Sequence, residues 1–255
     1  MSETSQSERA SLIKWIGTPQ MPPPWSLVDA GLALGALLLT MTIVATSIAV
    51  GVTGGLTNTP PQQSALILGW AIASLITAAF VLIRWRRTND MWQALRIVRP
   101  RMALPLIFLM GVAAALTVDV IAGLLNGTFL PVAALYGLSG DASNEWLLAA
   151  IFLVIAQPLA ESLVFFGVVQ ARLRASIGPW AGYLGTVLLF AMFHALVFGT
   201  QLPEGASLWY GVIYPALIGL FLGALRIRSG STLAVIIAYA AIGLTGIFSG
   251  LAIIG

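Results

Sequence analysis

Long apolar stretches alternate with short polar ones along this chain, and seven of the apolar runs are of bilayer length. They fall at about 26–52, 64–85, 103–125, 146–171, 179–199, 207–226 and 231–254. A helix rising 1.5 Å per residue needs ~20 apolar residues to cross the ~30 Å hydrocarbon layer. No water reaches the backbone there, so each crossing segment must satisfy its own N–H and C=O groups, as a helix does. The pattern predicts an all-α polytopic transmembrane bundle of about seven spanning helices. The stretch 127–140 is apolar but too short to span, and a re-entrant segment there would make the number eight.

Composition agrees with this reading. The 255 residues are 59% hydrophobic and 8% charged, with a mean hydropathy of +0.97. A soluble domain carries roughly 25% charged residues. A pI of about 9.7 would ordinarily raise nucleic-acid binding. Here the positions of the cations explain it, and no nucleic-acid partner is expected. All twelve Lys and Arg residues lie before run one, from the end of run two to the start of run three, after run four, or at and just after the end of run six. The loops 53–63, 126–145 and 200–206 hold none. With seven spans, every cation falls on the N-terminal side, the pattern of a cytoplasmic N-terminus. An integral protein of a prokaryotic cell membrane is expected, with the lipid bilayer as its first partner.

Three parts are expected. Residues 1–24 form a cytoplasmic tail in which Leu12, Ile13, Trp15 and Ile16, flanked by Arg9 and Lys14, suit an interfacial helix. Residues 25–101 form a transmembrane hairpin with an interfacial segment at 86–101, and residues 102–255 form the core. Small-residue pairs at Gly31/Gly35, Gly219/Gly223 and Gly246/Gly250 read as helix-packing positions.

Cysteine is absent and His194 is the single histidine, so thiolate catalysis and a multi-histidine zinc site are excluded within one chain. An ionisable residue inside a span is costly and is a functional candidate by default. Asp29 lies near the start of its run and reads as an interfacial acid. Asp119, nearer the far end of run three, reads as a structural hydrogen bond or as exposed at the outer face. Glu161 and His194 differ, because depth links them. Counted from Arg174 and from Gly178, they lie about 20 and 24 Å along two antiparallel helices joined by a short turn. A carboxylate and an imidazole can meet there, as base and partner, as a proton relay, or as a buried structural hydrogen bond.

The surrounding residues carry a resemblance. The segment AESLVFFGVVQARLR (Ala160 to Arg174), the FxxxH spacing of Phe190 and His194, and the segment RSGSTLAVIIAYAAIG, which contains Tyr239 and Gly243, follow one another in order over roughly 145–250. This resembles the CPBP family of intramembrane proteases (CAAX prenyl proteases and bacteriocin-processing enzymes). The resemblance implies Glu161 as the water-activating base and His194 as its partner. Tyr239 stands where the family has a second histidine, and adds a hydroxyl. Ser162, Phe166 and Gly243 stand where the family has a second Glu, an Arg and an Asn or Asp. The site is thus degenerate relative to the family pattern.

With one His and one Glu as ligands, no metal site is assigned, and the cofactor is left unknown. The resemblance implies an intramembrane endopeptidase acting on a membrane-associated peptide or protein through Glu161, His194 and Tyr239, with activity full, reduced or lost. The alternative is a non-catalytic pseudoprotease serving as a membrane scaffold or assembly subunit. A transporter or proton pathway is the third reading, and the chain lacks the inverted repeat that would support it.

Overall fold

The structure is a computed structural model that describes residues 11–55, 63–86, 90–126, 143–199 and 208–254. The stretch 127–140 lies outside them. Among the described residues the helices are α1 (Leu12–Gly17), α2 (Leu27–Val52), α3 (Gln63–Trp85), α4 (Met91–Ala94), α5 (Leu104–Asn126), α6 (Glu145–Ile177), α7 (Pro179–Val197), α8 (Trp209–Ser229) and α9 (Thr232–Ile254). Seven of these, α2, α3 and α5 to α9, are long and apolar enough to cross a bilayer. The chain is an all-α integral membrane protein.

α6 runs six residues past its apolar stretch, to Ile177. The extension, residues 172–177, is polar enough to leave the apolar run yet keeps good helix formers, so the helix continues where hydropathy stops. This helix is the centre of the bundle. Every residue from Ser162 to Val169 is buried. It packs against α2, α3, α7 and α9, and a helix that is apolar all round belongs in such a place.

Its backbone is not uniform. Ile151–Ala156 and Ser162–Val169 are wound in the wider i→i−5 register: the Gln157 N–H donates to the Phe152 carbonyl, and the Gln170 N–H donates to the Phe165 carbonyl. The first wide stretch leads directly into Pro158, which has no N–H to donate and whose ring would crowd the carbonyl four residues back. The wide stretch Trp209–Ile213 in α8 stands in the same relation to Pro215. Widened turns of this kind recur at functional sites. Within the second stretch, the Val168 carbonyl accepts from the Trp25 indole N–H at 3.2 Å.

Polar contacts tie the N-terminal helices to the bundle. Asp29 and Ser26 form a capping box at the start of α2, and Asp29 also accepts from Arg84 at 2.6 Å. Thr40 and Thr77 hydroxyls meet at 2.6 Å between α2 and α3.

α9 is gripped closely on both sides. A Cβ built on Gly111 of α5 would overlap the Ala238 carbonyl, and one built on Gly243 would overlap the Leu153 carbonyl of α6. Without side chains at these points the backbones come into contact, as dispersion-driven packing in lipid favours. Among the small-residue pairs, Gly219 and Gly223 pack against the rings of Phe190 and Tyr183, whereas Gly31 and Gly35 have nothing within 4 Å. Gly111→Leu should therefore destabilise the fold by about 1–3 kcal/mol through overpacking, read as a lower unfolding temperature in detergent. Gly31→Leu should leave that temperature unchanged.

Candidate active site

Four side chains from three helices meet in the middle of the bundle. α6 supplies Gln157 and Glu161, one turn apart and so on one face. α7 supplies His194, three residues before its end at Val197. α9 supplies Tyr239. The Gly178–Pro179 turn folds α7 back antiparallel to α6, which brings His194 to the depth of Glu161.

Glu161 is 1% exposed, and each of its carboxylate oxygens has a donor. The Gln157 amide donates to Oε1 at 2.9 Å, and the Tyr239 hydroxyl donates to Oε2 at 2.8 Å. His194 Nε2 lies 3.5 Å from Oε2, 3.3 Å from the Tyr239 hydroxyl and 3.5 Å from the Gln157 amide nitrogen. His194 Nδ1 lies 3.0 Å from the Phe190 carbonyl. A carbonyl can only accept, so Nδ1 carries the proton, and in the neutral ring Nε2 turns a lone pair toward the cluster. The imidazole is held among the rings of Phe190, Phe193 and Phe198, at 4.4, 5.5 and 5.4 Å between centroids.

Glu161, His194 and Tyr239 are thus brought together. Gln157 was not anticipated from the sequence. Its signal was present, since a glutamine four residues before a mid-span glutamate shares that glutamate's helix face. Ser162 is buried, but its hydroxyl has no hydrogen-bond partner among the described residues. Phe166 is buried against the Phe190 ring at 5.6 Å. Gly243 has no room for a polar side chain, because the Leu153 carbonyl occupies it. Asp119 stands apart on α5 and finds no hydrogen-bond or ion-pair partner among the described residues.

A catalytic zinc takes three protein ligands. Among the described residues no group of three His, Cys, Asp or Glu side chains is placed to hold a metal ion. The carboxylate oxygens of Glu161 are already engaged by Gln157 and Tyr239. The donor set therefore does not fit a metal.

Comparison with known families bears on this part of the chain. Residues 143–245 match the family model of type II CAAX prenyl endopeptidase Rce1-like proteins. This region is similar to type II CAAX prenyl endopeptidases. It spans α6 to most of α9 and contains all four side chains of the cluster. Comparisons with curated proteins and with solved structures gave no match.

The geometry separates two kinds of substitution in this CAAX-protease-like site. Gln157→Leu removes a donor from a buried carboxylate and should cost about 1–3 kcal/mol of stability. Ser162→Ala removes a hydroxyl that bonds to nothing and should be neutral or slightly stabilising. Equilibrium unfolding of the two variants in one detergent checks the contrast.

Proposed function

We propose that the chain is a CAAX-protease-like membrane endopeptidase in which Glu161 is the general base, His194 its partner and Tyr239 a hydrogen-bond donor to the developing oxyanion. The observation that carries this reading is the contact between a buried carboxylate, a phenol and an imidazole nitrogen, all within 3.5 Å of one another. Glu161 takes a proton from water, and the water oxygen bonds to the peptide carbonyl carbon. Once protonated, Glu161 no longer needs the Tyr239 hydroxyl, which is then free to donate to the oxyanion. His194 Nε2 is positioned to pass the proton to the amine that leaves when the C–N bond breaks. No step uses a metal. The substrate on this reading is a membrane-associated peptide or protein.

The orientation belongs to the same proposal. Clustering of the cations toward one end of the bundle supports a cytoplasmic N-terminus in a prokaryotic cell membrane. The division into a tail up to residue 24, a hairpin up to 101 and a catalytic core beyond it is supported by the helix α1, by the pairing of α2 with α3, and by the family match beginning at 143.

One observation favours a second reading, in which the chain is a non-catalytic pseudoprotease acting as a membrane scaffold or assembly subunit. Phe166 and Gly243 fill with apolar packing the places where the resemblance calls for an Arg and an Asn or Asp.

The two readings diverge in a cleavage assay with purified protein in liposomes, using membrane-anchored peptides that include C-terminally prenylated ones. The endopeptidase reading expects cleavage that Glu161→Gln lowers by about 10²–10⁴-fold and that a chelator leaves unchanged. Absence of cleavage by a folded wild-type protein would reject it in favour of the scaffold.

A further inference from the structure

A second set of ionisable groups lies near the opposite ends of these helices from the loops that carry no cations. Arg174 near the end of α6 and Arg226 near the end of α8 are each only 2% exposed. Arg226 donates through Nε to the Thr232 hydroxyl at 3.0 Å, and its Nη1 has no partner among the described residues. Arg174 donates to the backbone carbonyls of Ile16, Thr18 and Pro179, and its Nε has no partner among the described residues.

Arg96 and Arg101, in the segment between α4 and α5, complete the group. The Arg96 carbonyl accepts from the Thr232 N–H at 2.8 Å, and the Arg101 N–H donates to the Ser229 carbonyl at 3.1 Å. The segment is therefore fastened to the α8–α9 turn. Arg96 is half-buried and Arg101 exposed. Burial, and then the Arg101 charge, lower the pKa of Arg96. The Arg96 and Arg174 charges both act on Arg226.

Among the described residues, every hydrogen-bond acceptor of the Arg174 and Arg226 side chains is neutral: a carbonyl or a hydroxyl. Among the described residues no Asp or Glu pairs with any of them. Uncompensated buried charge is costly, and clustered charge of one sign in a low-dielectric wall focuses its field outward. The surface around the cluster carries exposed apolar and aromatic side chains. α1 lies across it with Ile13 69% exposed, Trp180 is 42% exposed beside it, and the Trp15 ring packs under the Arg101 guanidinium at 5.4 Å. Exposed apolar and aromatic side chains around cations mark a headgroup-level surface.

We infer that Arg96 and Arg101, backed by Arg174 and Arg226, bind the headgroup phosphate of an anionic phospholipid. The two accessible guanidiniums touch the phosphate, and the two buried ones hold it by their field. The phosphate supplies the negative charge that the described residues leave out.

The test uses the full chain in nanodiscs of phosphatidylcholine into which phosphatidylglycerol is titrated, with thermal unfolding as the readout. Phosphatidylglycerol is expected to raise the unfolding temperature. In Arg96→Gln/Arg101→Gln the lipid concentration giving half the effect should rise on the order of thirty-fold, since each cation near a membrane surface is worth roughly a factor of five. Arg86→Gln, which removes an exposed cation from the end of α3, should leave the titration unchanged. Should the double variant unfold early in pure phosphatidylcholine, Arg101→Gln alone, whose side chain is exposed, supplies the readout, with about a five-fold shift expected. Three results would overturn the inference: no response to phosphatidylglycerol, an equal loss in Arg86→Gln, or protection by inorganic phosphate in phosphatidylcholine discs equal to that by the lipid.

Discussion

A carboxylate in the middle of a bilayer must be given hydrogen-bond donors by the protein, because nothing else there can supply them. That requirement organises this bundle. Glu161 is met by an amide from its own helix and a phenol from α9, and an imidazole from α7 closes the group. Three helices must therefore hold fixed depth and rotation relative to one another. The backbone contacts at Gly111 and Gly243 fix α9 between α5 and α6, and the Gly178–Pro179 turn fixes α7. The wide turns on either side of Gln157–Glu161 shift the helical phase of α6, and Pro158 accounts for the first of them.

The same low dielectric acts at the charged end with the opposite sign. There the described residues bury cations and give them only neutral oxygens, and the compensation we infer comes from a lipid phosphate. The centre and the charged end thus solve one electrostatic problem in different ways. In the centre the partners are built into the chain. At the edge they belong to the membrane.

Much of this was legible in the sequence, for identifiable reasons. Seven spans follow from hydropathy, and the contact between Glu161 and His194 follows from counting residues from the Gly178 turn. Tyr239 entered through the spacing of a family motif, and its hydroxyl does reach Glu161. Gln157 carries no charge and so no signal of membrane cost, although a buried amide four residues from a buried acid is that acid's natural donor. The length of α6 was underestimated because hydropathy reports where lipid ends and not where a helix ends. The reason for Gly243 was hidden altogether. In the sequence it is a missing polar group, and in the fold it is the place where two backbones touch. Wide helical turns leave no compositional mark beyond a following proline, and the one at Ser162–Val169 has no proline after it.

The central claim is that Glu161 and Tyr239 act as one buried unit and not as two neighbours. A double-mutant cycle of Glu161→Gln and Tyr239→Phe, read by equilibrium unfolding, tests this most directly. The account predicts a coupling energy of at least about 1 kcal/mol, with the double variant less damaged than the sum of the singles. Additive effects within about 0.5 kcal/mol would mean that the two side chains are independent, and would contradict it.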